Sequence, residues 1–344
     1  MAWTRRKKYK YKGYTKIETD AQKKIKRILE KAAVALISLL ILFAAFISAG
    51  ENLGWSTPTW NDIYCAVGIS ERPPISGDAK NAATKIHFID VGQADSTLIE
   101  QNGHFALIDA GIDDSASNGE GALTSYLDAA GVKTIDVLVI THPHFDHIGA
   151  VPAVLEKYDV KQIVIADASK APPYKGSTFS RVLSMIISLK IPCDTAEAGS
   201  EYAVGDGVLK VLFAGVKITD DSYNEISVVT KFTASGISYL SCGDAEADEI
   251  KALMAEKIDL KAKVYKAAHH GSSASNTYDF LKKIKPQYAI VSCGLNNAFG
   301  HPQPRAVQAF EDINAKMLRT DKQGSIVVYV DENGRLATAE TRKI

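Results

Sequence analysis

The sequence predicts an α/β domain, built of sheets covered by helices, behind a single N-terminal transmembrane helix. From residue 85 onwards, short apolar runs typical of strands come first and then alternate with segments of helical periodicity. This pattern favours layered sheets and helices. Before the domain, residues 32–50 form an uncharged apolar run. At 344 residues and 46% hydrophobic content, the chain is long enough to bury one large core and to carry appendages.

The N-terminal segment has a strong positive charge. Residues 1–31 contain 12 Lys and Arg against three acidic residues, whereas the rest of the chain contains 28 basic against 37 acidic residues. A helix over residues 32–50 is about 28 Å long, close to the membrane hydrocarbon thickness of about 30 Å. We therefore expect one membrane span. The positive-inside rule then places residues 1–31 in the cytoplasm and the domain outside the cell.

A cleaved signal peptide is the alternative for this segment. The small residues Ser48, Ala49 and Gly50 suit signal peptidase, but the charged leader and the apolar run are both long for such a peptide. Residues 51–84 are typical of a linker, with one short helix predicted from Trp60 to Val67. Residues 85–344 then form the domain.

Within the domain, each element is predicted from its apolar pattern and its ends. Strands are expected where apolar or β-branched residues run between turn residues such as Gly103. They cover 86–91, 97–100, 104–109, 135–140, 162–166, 201–204, 208–214, 226–233, 237–241, 262–267, 288–292, 325–330 and 336–340. Helices are expected where apolar residues recur at helical spacing and a glycine or a proline such as Pro192 follows. They cover 121–130, 148–157, 177–189, a segment ending near 256, 278–284 and 304–314.

A group of candidate metal ligands follows the predicted strand at 135–140. The stretch Thr141 to Ala150, THPHFDHIGA, contains His142, His144, Asp146 and His147. Imidazole nitrogen and carboxylate oxygen suit borderline cations such as zinc, and residues two apart on a turn can converge on one ion. A histidine-rich surface loop is the weaker explanation, since five of the eight histidines lie in just two short clusters.

The spacing His-x-His-x-Asp-His resembles that of the metallo-β-lactamase superfamily, and in particular the hydrolase domains of ComEC-like competence proteins. Four further motifs carry the resemblance in the same chain order. They are IHFIDVGQA with Asp95 at 86–95, LIDAG at 107–111, GDAE at 243–246 and HHGS at 269–272. The resemblance covers roughly residues 85 to 341. It implies an αββα sandwich whose two sheets hold a metal site along one edge.

The same resemblance implies a ligand set for one or two zinc ions. One metal would take His142 and His144, and the other Asp146 and His147. Asp244 would bridge the two ions, and either His269 or His270 would complete the second site; the sequence does not choose between these two histidines. Asp109 would accept a hydrogen bond from a ligand histidine and fix its tautomer, although a turn acid at a strand end is the alternative.

The chain departs from the wider superfamily at one ligand. Many members have a further histidine before the bridging acid, but no histidine occurs from Ile148 to Ala268 in this sequence. The ComEC-like branch instead has an Asn-x-x-Ser pattern, matched by Asn224 and Ser227. We therefore expect weaker binding at the His142/His144 metal, with water or Asn224 in its coordination sphere. Manganese becomes as suitable as zinc when nitrogen ligands are few.

Asp146 and His301 are the candidate catalytic residues. Asp146 belongs to the metal cluster that would activate a hydroxide. His301, in FGHPQP, matches a Gly-His-Pro of ComEC-like domains; it either donates to a substrate phosphate or leaving group or is structural. Asp95 is expected to be structural or to support the ligands, and Ser272 and Ser273 are weaker candidates for a phosphate contact.

The resemblance implies a membrane-anchored extracellular phosphodiesterase whose substrate is DNA. The acidic balance of the domain opposes this, because nucleic-acid binders normally present basic surfaces. Lysines at 261, 263, 266, 282, 283 and 285 are candidates to line the cleft. The alternatives are a phosphodiesterase acting on a cell-wall polymer or small phosphoester, and an anchored binding module without catalysis. The sequence says nothing about protein partners.

Overall fold

The computed structural model describes residues 20–53, 78–112 and 121–341. By its internal contacts the chain divides into two compact units, residues 1–69 and 70–344. The short helix predicted from Trp60 to Val67 lies outside the described residues.

The first unit contains one long helix, α1, from Asp20 to Leu53. Its segment Lys24–Ala49 has a mean hydropathy of 2.7 and is long and apolar enough to cross a membrane. The helix is thus a candidate membrane span, as the sequence predicts. It begins twelve residues before the apolar run at 32–50, because the preceding Lys, Arg, Ile and Leu residues are good helix formers.

The second unit contains the remaining helices and all the described strands. Its helices are α2 (Asp78–Asn81), α3 (Ala122–Ala129), α4 (Phe145–Ile148), α5 (Val151–Lys157), α6 (Ser177–Leu189), α7 (Ala247–Ala255), α8 (Tyr278–Ile284), α9 (Pro304–Asp312) and α10 (Thr320–Gln323). Its strands are β1 (Thr84–Phe88), β2 (Thr97–Gln101), β3 (His104–Ile108), β4 (Thr134–Ile135), β5 (Val137–Ile140), β6 (Asp159–Val160), β7 (Ile163–Ile165), β8 (Cys193–Thr195), β9 (Glu201–Val204), β10 (Gly207–Ala214), β11 (Val228–Ala234), β12 (Ile237–Ser241), β13 (Val264–Lys266), β14 (Tyr288–Val291), β15 (Lys316–Arg319), β16 (Ile326–Val330) and β17 (Leu336–Glu340).

The strands form two large sheets. The first has the order β17-β16-β1-β2-β3-β5-β7-β8, and the second β15-β14-β13-β12-β11-β10-β9. In each sheet one half is antiparallel and built from hairpins, whereas the other half is parallel, with β3, β5, β7 and β8 in the first and β12 to β15 in the second. Parallel strands place their carboxyl ends at one edge, so the loops after them meet there.

The two sheets pack face to face and helices cover both outer faces. Side chains such as Phe88, Phe232 and Tyr239 fill the space between the sheets. The outer face of the first sheet packs against α3, α5 and α6, for example through Val154. The outer face of the second packs against α7, α8 and α9, for example through Phe310. The predicted αββα sandwich is confirmed.

Besides the short elements α2, β6 and α10, and the division of the strand predicted at 135–140 into β4 and β5, the structure differs from the predicted elements in three places. Strands β8 and β15 were not predicted, because β8 is an exposed edge strand and β15 is only four residues long. The single helix predicted at 148–157 is two helices, α4 and α5. Pro152 lies in the first turn of α5, where its missing N–H costs no hydrogen bond. The second helix therefore starts afresh just before it.

Candidate metal centre

The loops after β5, β12 and β13 bring the distant motifs of the sequence together. His147 Nε2 lies 3.3 Å from Asp244 Oδ2 and 3.8 Å from Asp146 Oδ2. His270 Nε2 lies 3.3 Å from Asp146 Oδ2 and 3.5 Å from Asp244 Oδ2. Four side chains from three loops therefore point into one small volume at the edge of the sandwich.

Unusual backbone conformations position two of these loops. Gly243, just before Asp244, has a φ of +53°, and a Cβ there would lie 2.9 Å from the Cβ of Thr141. His269 and His270 also have positive φ values, 47° and 51°, which non-glycine residues rarely adopt. The close approach of the β12 and β5 loops thus requires a glycine, and the two histidines are held in a strained turn.

Asp109, at the end of β3, fixes the orientation of His147. His147 Nδ1 donates a hydrogen bond of 2.7 Å to Asp109 Oδ2. The same carboxylate accepts bonds from the backbone N–H and the hydroxyl of Thr141, at 2.9 and 2.7 Å. As the sequence predicts, Asp109 holds the histidine so that its other nitrogen, Nε2, faces the centre.

His142 and His144 form a second pair beside the first group. His142 Nε2 and His144 Nδ1 are 3.1 Å apart. Two nitrogens bound to one tetrahedral zinc at 2.0–2.1 Å would be about 3.3 Å apart. The ring of His142 lies 4.1 Å from that of His147, so the pair adjoins the cluster of His147, Asp244 and His270.

The two histidines of the HHGS turn have different environments. His270 is buried, and its Nδ1 donates to the carbonyl of Ser292 at 3.0 Å, which directs Nε2 towards Asp146 and Asp244. His269 is partly exposed; its Nε2 lies 3.8 Å from Asp244, and its Nδ1 lies 3.2 Å from Glu246. The geometry therefore favours His270 as the ligand at this turn and leaves His269 at the rim.

A buried ion pair lies beneath the centre. Lys266 Nζ donates to Asp95 Oδ2, and both side chains are buried. The other oxygen of Asp95 is 3.4 Å from His270 Nδ1. The sequence made Lys266 a candidate to line the cleft; this is wrong, because the side chain points into the domain. The motif VGQAD was the available signal for Asp95, but nothing in the sequence paired it with Lys266.

The other lysines that were candidates to line the cleft do not lie at this centre. Lys261, Lys282, Lys283 and Lys285 line a surface depression of about 310 Å³ together with the acidic Glu256 and Asp259. Lys261 and Lys263 precede β13 and Lys285 follows α8, at the amino end of the parallel strands, whereas His270 follows the carboxyl end of β13. These lysines are therefore on the opposite edge of the sheet.

Asn224 lies beside the His142/His144 pair. Its amide nitrogen donates to Glu246 Oε1 at 2.8 Å, and its buried Oδ1 has no hydrogen-bond partner among the described residues. Ser227 Oγ accepts the backbone N–H of Asp244 at 3.1 Å. The Asn-x-x-Ser segment therefore supports the loop of Asp244 and places the Asn224 side chain beside His144, where their interaction raises the pKa of that histidine against the effect of burial.

His301 is at the rim of the centre. Its ring lies 5.4 Å from the ring of His269 and 6.2 Å from that of His270. Burial lowers the pKa of His301 to about 4, with further lowering from the charges of His269 and His270. His301 is therefore a neutral imidazole at neutral pH, with one buried nitrogen, Nδ1, that has no hydrogen-bond partner.

The donor set fits a divalent cation. Single ligand atoms of Asp95, His147, Asp244 and His270 lie within 4.8 Å of one another. Three buried atoms in this group have no hydrogen-bond partner among the described residues: Asp95 Oδ1, His147 Nε2 and Asp244 Oδ1. Unpaired buried nitrogen and carboxylate oxygen are costly unless something binds them, and they are the atoms that zinc, manganese and iron accept.

The charges of the cluster are mutually dependent. Burial opposes a charge on His147 and on His270, but the carboxylates of Asp244 and its neighbours raise the pKa of both, that of His270 to about 10. Burial also opposes the charge of Asp244, yet these histidines hold its pKa well below the usual range. Burial lowers the pKa of His142 and His144, which leaves them neutral. Protons on two histidines thus balance the buried acids when no metal is bound.

Comparison with known proteins decides the family. A family model described as the metallo-beta-lactamase superfamily matches residues 89–295. The chain belongs to the metallo-β-lactamase superfamily. The match includes the loops of His142, Asp244 and His270, so membership of this superfamily and the buried cluster together imply a divalent metal.

Two curated relatives align with most of the domain. The chain is 30% identical over 257 residues to ComE operon protein 3 of Bacillus subtilis, covering 70% of this chain and 32% of that protein. It is 27% identical over 306 residues to the competence protein ComA of Neisseria gonorrhoeae, covering 88% and 40%. The chain therefore spans about a third of the length of these relatives.

Among solved structures, the metallo-beta-lactamase fold protein YhfI of Bacillus subtilis is similar at a TM-score of 0.45 and 11% identity, covering 69% of this chain and 95% of that one.

The hydrogen bond between Asp109 and His147 gives a first prediction. We expect Asp109→Asn to weaken metal binding about 10- to 100-fold, because an amide has only one acceptor oxygen and cannot accept hydrogen bonds from both the Thr141 backbone N–H and His147 Nδ1. Titration of the full-length protein in detergent against a metal-sensing chelator measures this. Asp136→Asn is the matched control, since Asp136 pairs with His104 at 3.0 Å on the surface. Equal affinities of the two variants would contradict the role of Asp109.

The raised pKa values of His147 and His270 give a second prediction. Both histidines carry a proton at neutral pH without metal, and metal can bind only after these protons leave. We expect the release of about two protons per centre filled, and an affinity that increases as the pH rises. Calorimetry in buffers of different ionisation enthalpy counts the protons. An affinity independent of pH between 6 and 8 would refute the charge balance described above.

Proposed function

We propose that this domain is a metal-dependent phosphodiesterase that cleaves DNA. The observation that carries the proposal is the convergence of the buried His147, Asp244 and His270 with the partly exposed Asp146, beside the His142/His144 pair. Carboxylate and imidazole ligands of this kind hold metals that cleave phosphate esters. A family model and the relatives support the hydrolase class.

The proposed ligands divide into two groups. His142 and His144 would hold one ion, with Asn224 as a further candidate ligand. Asp146, His147 and His270 would hold the other, Asp244 would be shared between the two groups, and Asp109 and Asp95 would orient the histidines. Zinc is the proposed metal, in one or two ions, and manganese is also compatible with this donor set. His269 is not needed as a ligand in this arrangement.

The residues of the chain would divide the chemical work as follows. A bound divalent cation supplies polarisation of the phosphate and a water made acidic near neutral pH. Asp146, on the loop after β5, and Asp244, on the loop after β12, approach His147 Nε2 from two directions. Asp109 holds the ring of His147 through its other nitrogen, Nδ1. His301, neutral and at the rim, is placed to donate a hydrogen bond to a phosphate oxygen.

The names of the relatives support DNA as the substrate. Two are competence proteins, and a third, Recombination protein 2 of Haemophilus influenzae, is 26% identical over 248 residues. The alternative substrate, a cell-wall polymer or small phosphoester, is favoured by charge. Outside residues 1–31 the chain has 28 basic against 37 acidic residues, and the lysine-lined depression is on the opposite edge of the sheet. A binding module without catalysis is less consistent with a full set of ligands.

The proposed location is the outer face of a cell membrane. The helix α1 would be a single-pass anchor, with the basic residues 1–31 in the cytoplasm. The hydrolase domain would then be extracellular.

Removal of two proposed ligands tests the activity. We expect Asp146→Ala, His147→Ala in the full-length protein to lower metal-dependent cleavage by about three orders of magnitude, since the metal supplies several kcal/mol of transition-state stabilisation. Assays with zinc or manganese use single-stranded DNA, duplex DNA and bis-p-nitrophenyl phosphate. The matched control, His104→Ala with Asp136→Ala, removes a surface His–Asp pair. Cleavage of the small ester without DNA would favour the alternative substrate; no metal-dependent cleavage at all would favour the binding module.

The low pKa of His301 leads to a prediction about its role. A neutral imidazole donates a hydrogen bond but is a poor source of a proton, so we expect His301→Ala to lower kcat/KM about 10-fold on both DNA and bis-p-nitrophenyl phosphate. His301→Gln should retain part of the activity, because an amide also donates. A selective loss of kcat on DNA, whose leaving group is the more basic, would instead identify His301 as the general acid.

Protease protection tests the proposed orientation. Protease added to intact cells should degrade the domain and leave a tag at the N-terminus intact. Protection of the domain with loss of the N-terminal tag would reverse the proposed topology.

A further inference from the structure

We propose that Phe299 and Phe145, on two loops that border the metal centre, stack against unpaired bases next to the scissile phosphate, so that the site takes single-stranded nucleic acid. The inference rests on the proposed phosphodiesterase function and adds to it the structural class of the substrate. It assigns recognition to aromatic side chains rather than to basic ones.

Phe299 is an exposed aromatic ring beside the reaction site. Its side chain is 67% exposed, and its ring lies 5.8 Å from that of His301 at an interplanar angle of 22°, a stacked arrangement. The ring of His301 in turn lies 5.4 Å from that of His269. Phe299 therefore contacts a residue at the rim of the proposed metal centre and presents an apolar surface to solvent there.

The loop that carries Phe299 is held firmly. Asn297 Nδ2 donates to the carbonyls of Gly294 and His301 at 3.0 and 2.7 Å, and its Oδ1 accepts the N–H of His301 at 2.9 Å. The N–H of Gly294 donates to Gln93 Oε1 at 2.9 Å. These bonds close the loop around Phe299. The ring is therefore presented at a fixed place, which lowers the entropy lost when a base binds to it.

Phe145 is adjacent in the chain to two residues of the metal centre. It is the first residue of α4, between His144 and Asp146 in the sequence, and it is 49% exposed. Tyr174 packs 6.0 Å from the ring of His144. Aromatic faces thus border the ligand cluster both near His144 and near His301.

The charge distribution makes stacking the more suitable mode of recognition. The lysines at 261, 282, 283 and 285 line a depression on the opposite edge of the sheet, and Lys266 is buried against Asp95. Stacking on an aromatic ring needs no positive charge and accepts any base, because every base has a π-face. In a duplex those faces are already stacked on neighbouring bases, so only an unpaired strand can use Phe299 and Phe145.

Binding to oligonucleotides with and without bases tests the inference directly. The ligands are labelled, hydrolysis-resistant phosphorothioates: oligothymidylate, an abasic strand of the same length and the corresponding duplex. Anisotropy is measured with the metal-loaded full-length protein in detergent. We expect oligothymidylate to bind more tightly than the other two. Phe299→Ala and Phe145→Ala should each raise the Kd for oligothymidylate about 5- to 100-fold, and leave the Kd for the abasic strand within about twofold.

Ile187→Ala is the control for loss of an exposed apolar side chain, and it should change neither Kd. Ile187 is 76% exposed and lies near the end of α6, which connects the parallel strands β7 and β8 and so ends at the edge opposite the metal centre. Phe299→Trp keeps an aromatic face and should preserve binding to oligothymidylate.

The outcomes separate this inference from the phosphodiesterase proposal. Equal affinity for oligothymidylate and the abasic strand, or equal weakening of both by Phe299→Ala, would overturn the inference even if the protein cleaves DNA. Base-dependent binding in a protein that cleaves nothing would overturn the phosphodiesterase proposal and keep the inference. If Phe299→Ala instead abolishes binding to anionic lipid vesicles while oligothymidylate binding is unchanged, the ring contacts a membrane and the inference is wrong.

Discussion

The structure depends on how the domain keeps two buried carboxylates charged. Asp95 and Asp244 are almost inaccessible to water, and the nearby buried lysine, Lys266, is paired with only Asp95. An unpaired buried charge costs several kcal/mol, so further positive charge must lie close by. Protons on His147 and His270 supply it in the metal-free protein, and a divalent cation replaces them. Metal binding is thus an exchange of one set of cations for another in a site that is already ordered.

This charge balance requires that the acids and the histidines lie close together, and the fold brings them to one edge of the sandwich. The acids and histidines come from the ends of β3 and β5, a parallel pair in the first sheet, and of β12 and β13, a parallel pair in the second, and these ends meet at one edge of the sandwich. Gly243 allows the loops of Asp244 and Thr141 to touch, and positive φ values at His269 and His270 turn their imidazoles towards the acids. Such strained positions persist only when the surrounding packing fixes them. Here the two sheets and their covering helices provide that packing.

The sequence predicted those features that depend on local pattern and failed where the outcome depends on tertiary contacts. The boundaries of α6 and β12 were predicted without error, since an apolar periodicity and turn residues define them. The hydrogen bond of Asp109 to a histidine was also predicted, because a motif signalled it. The difference between His269 and His270 was not, since it depends on the carbonyl of Ser292, which only the fold brings close. Lys266 was misplaced for the same reason: a strand residue can face either solvent or core, and only its ion pair with Asp95 decides.

The acidic balance of the domain bears on how it can bind a polyanion at all. A phosphate backbone approaching a surface with more carboxylates than lysines gains little from long-range attraction, and the lysine-lined depression lies at the opposite edge of the sheet. Favourable free energy must then come from short-range contacts at the centre itself, the cation and the rings around it. In the proposed complex with DNA, exposed aromatic side chains such as Phe299 would supply such contacts without competing with the metal for its carboxylates. Lysines placed beside the centre to attract substrate would form ion pairs with the carboxylates that metal binding requires. In the proposed arrangement the carboxylates bind metal and the aromatic rings bind substrate, so these ion pairs do not form.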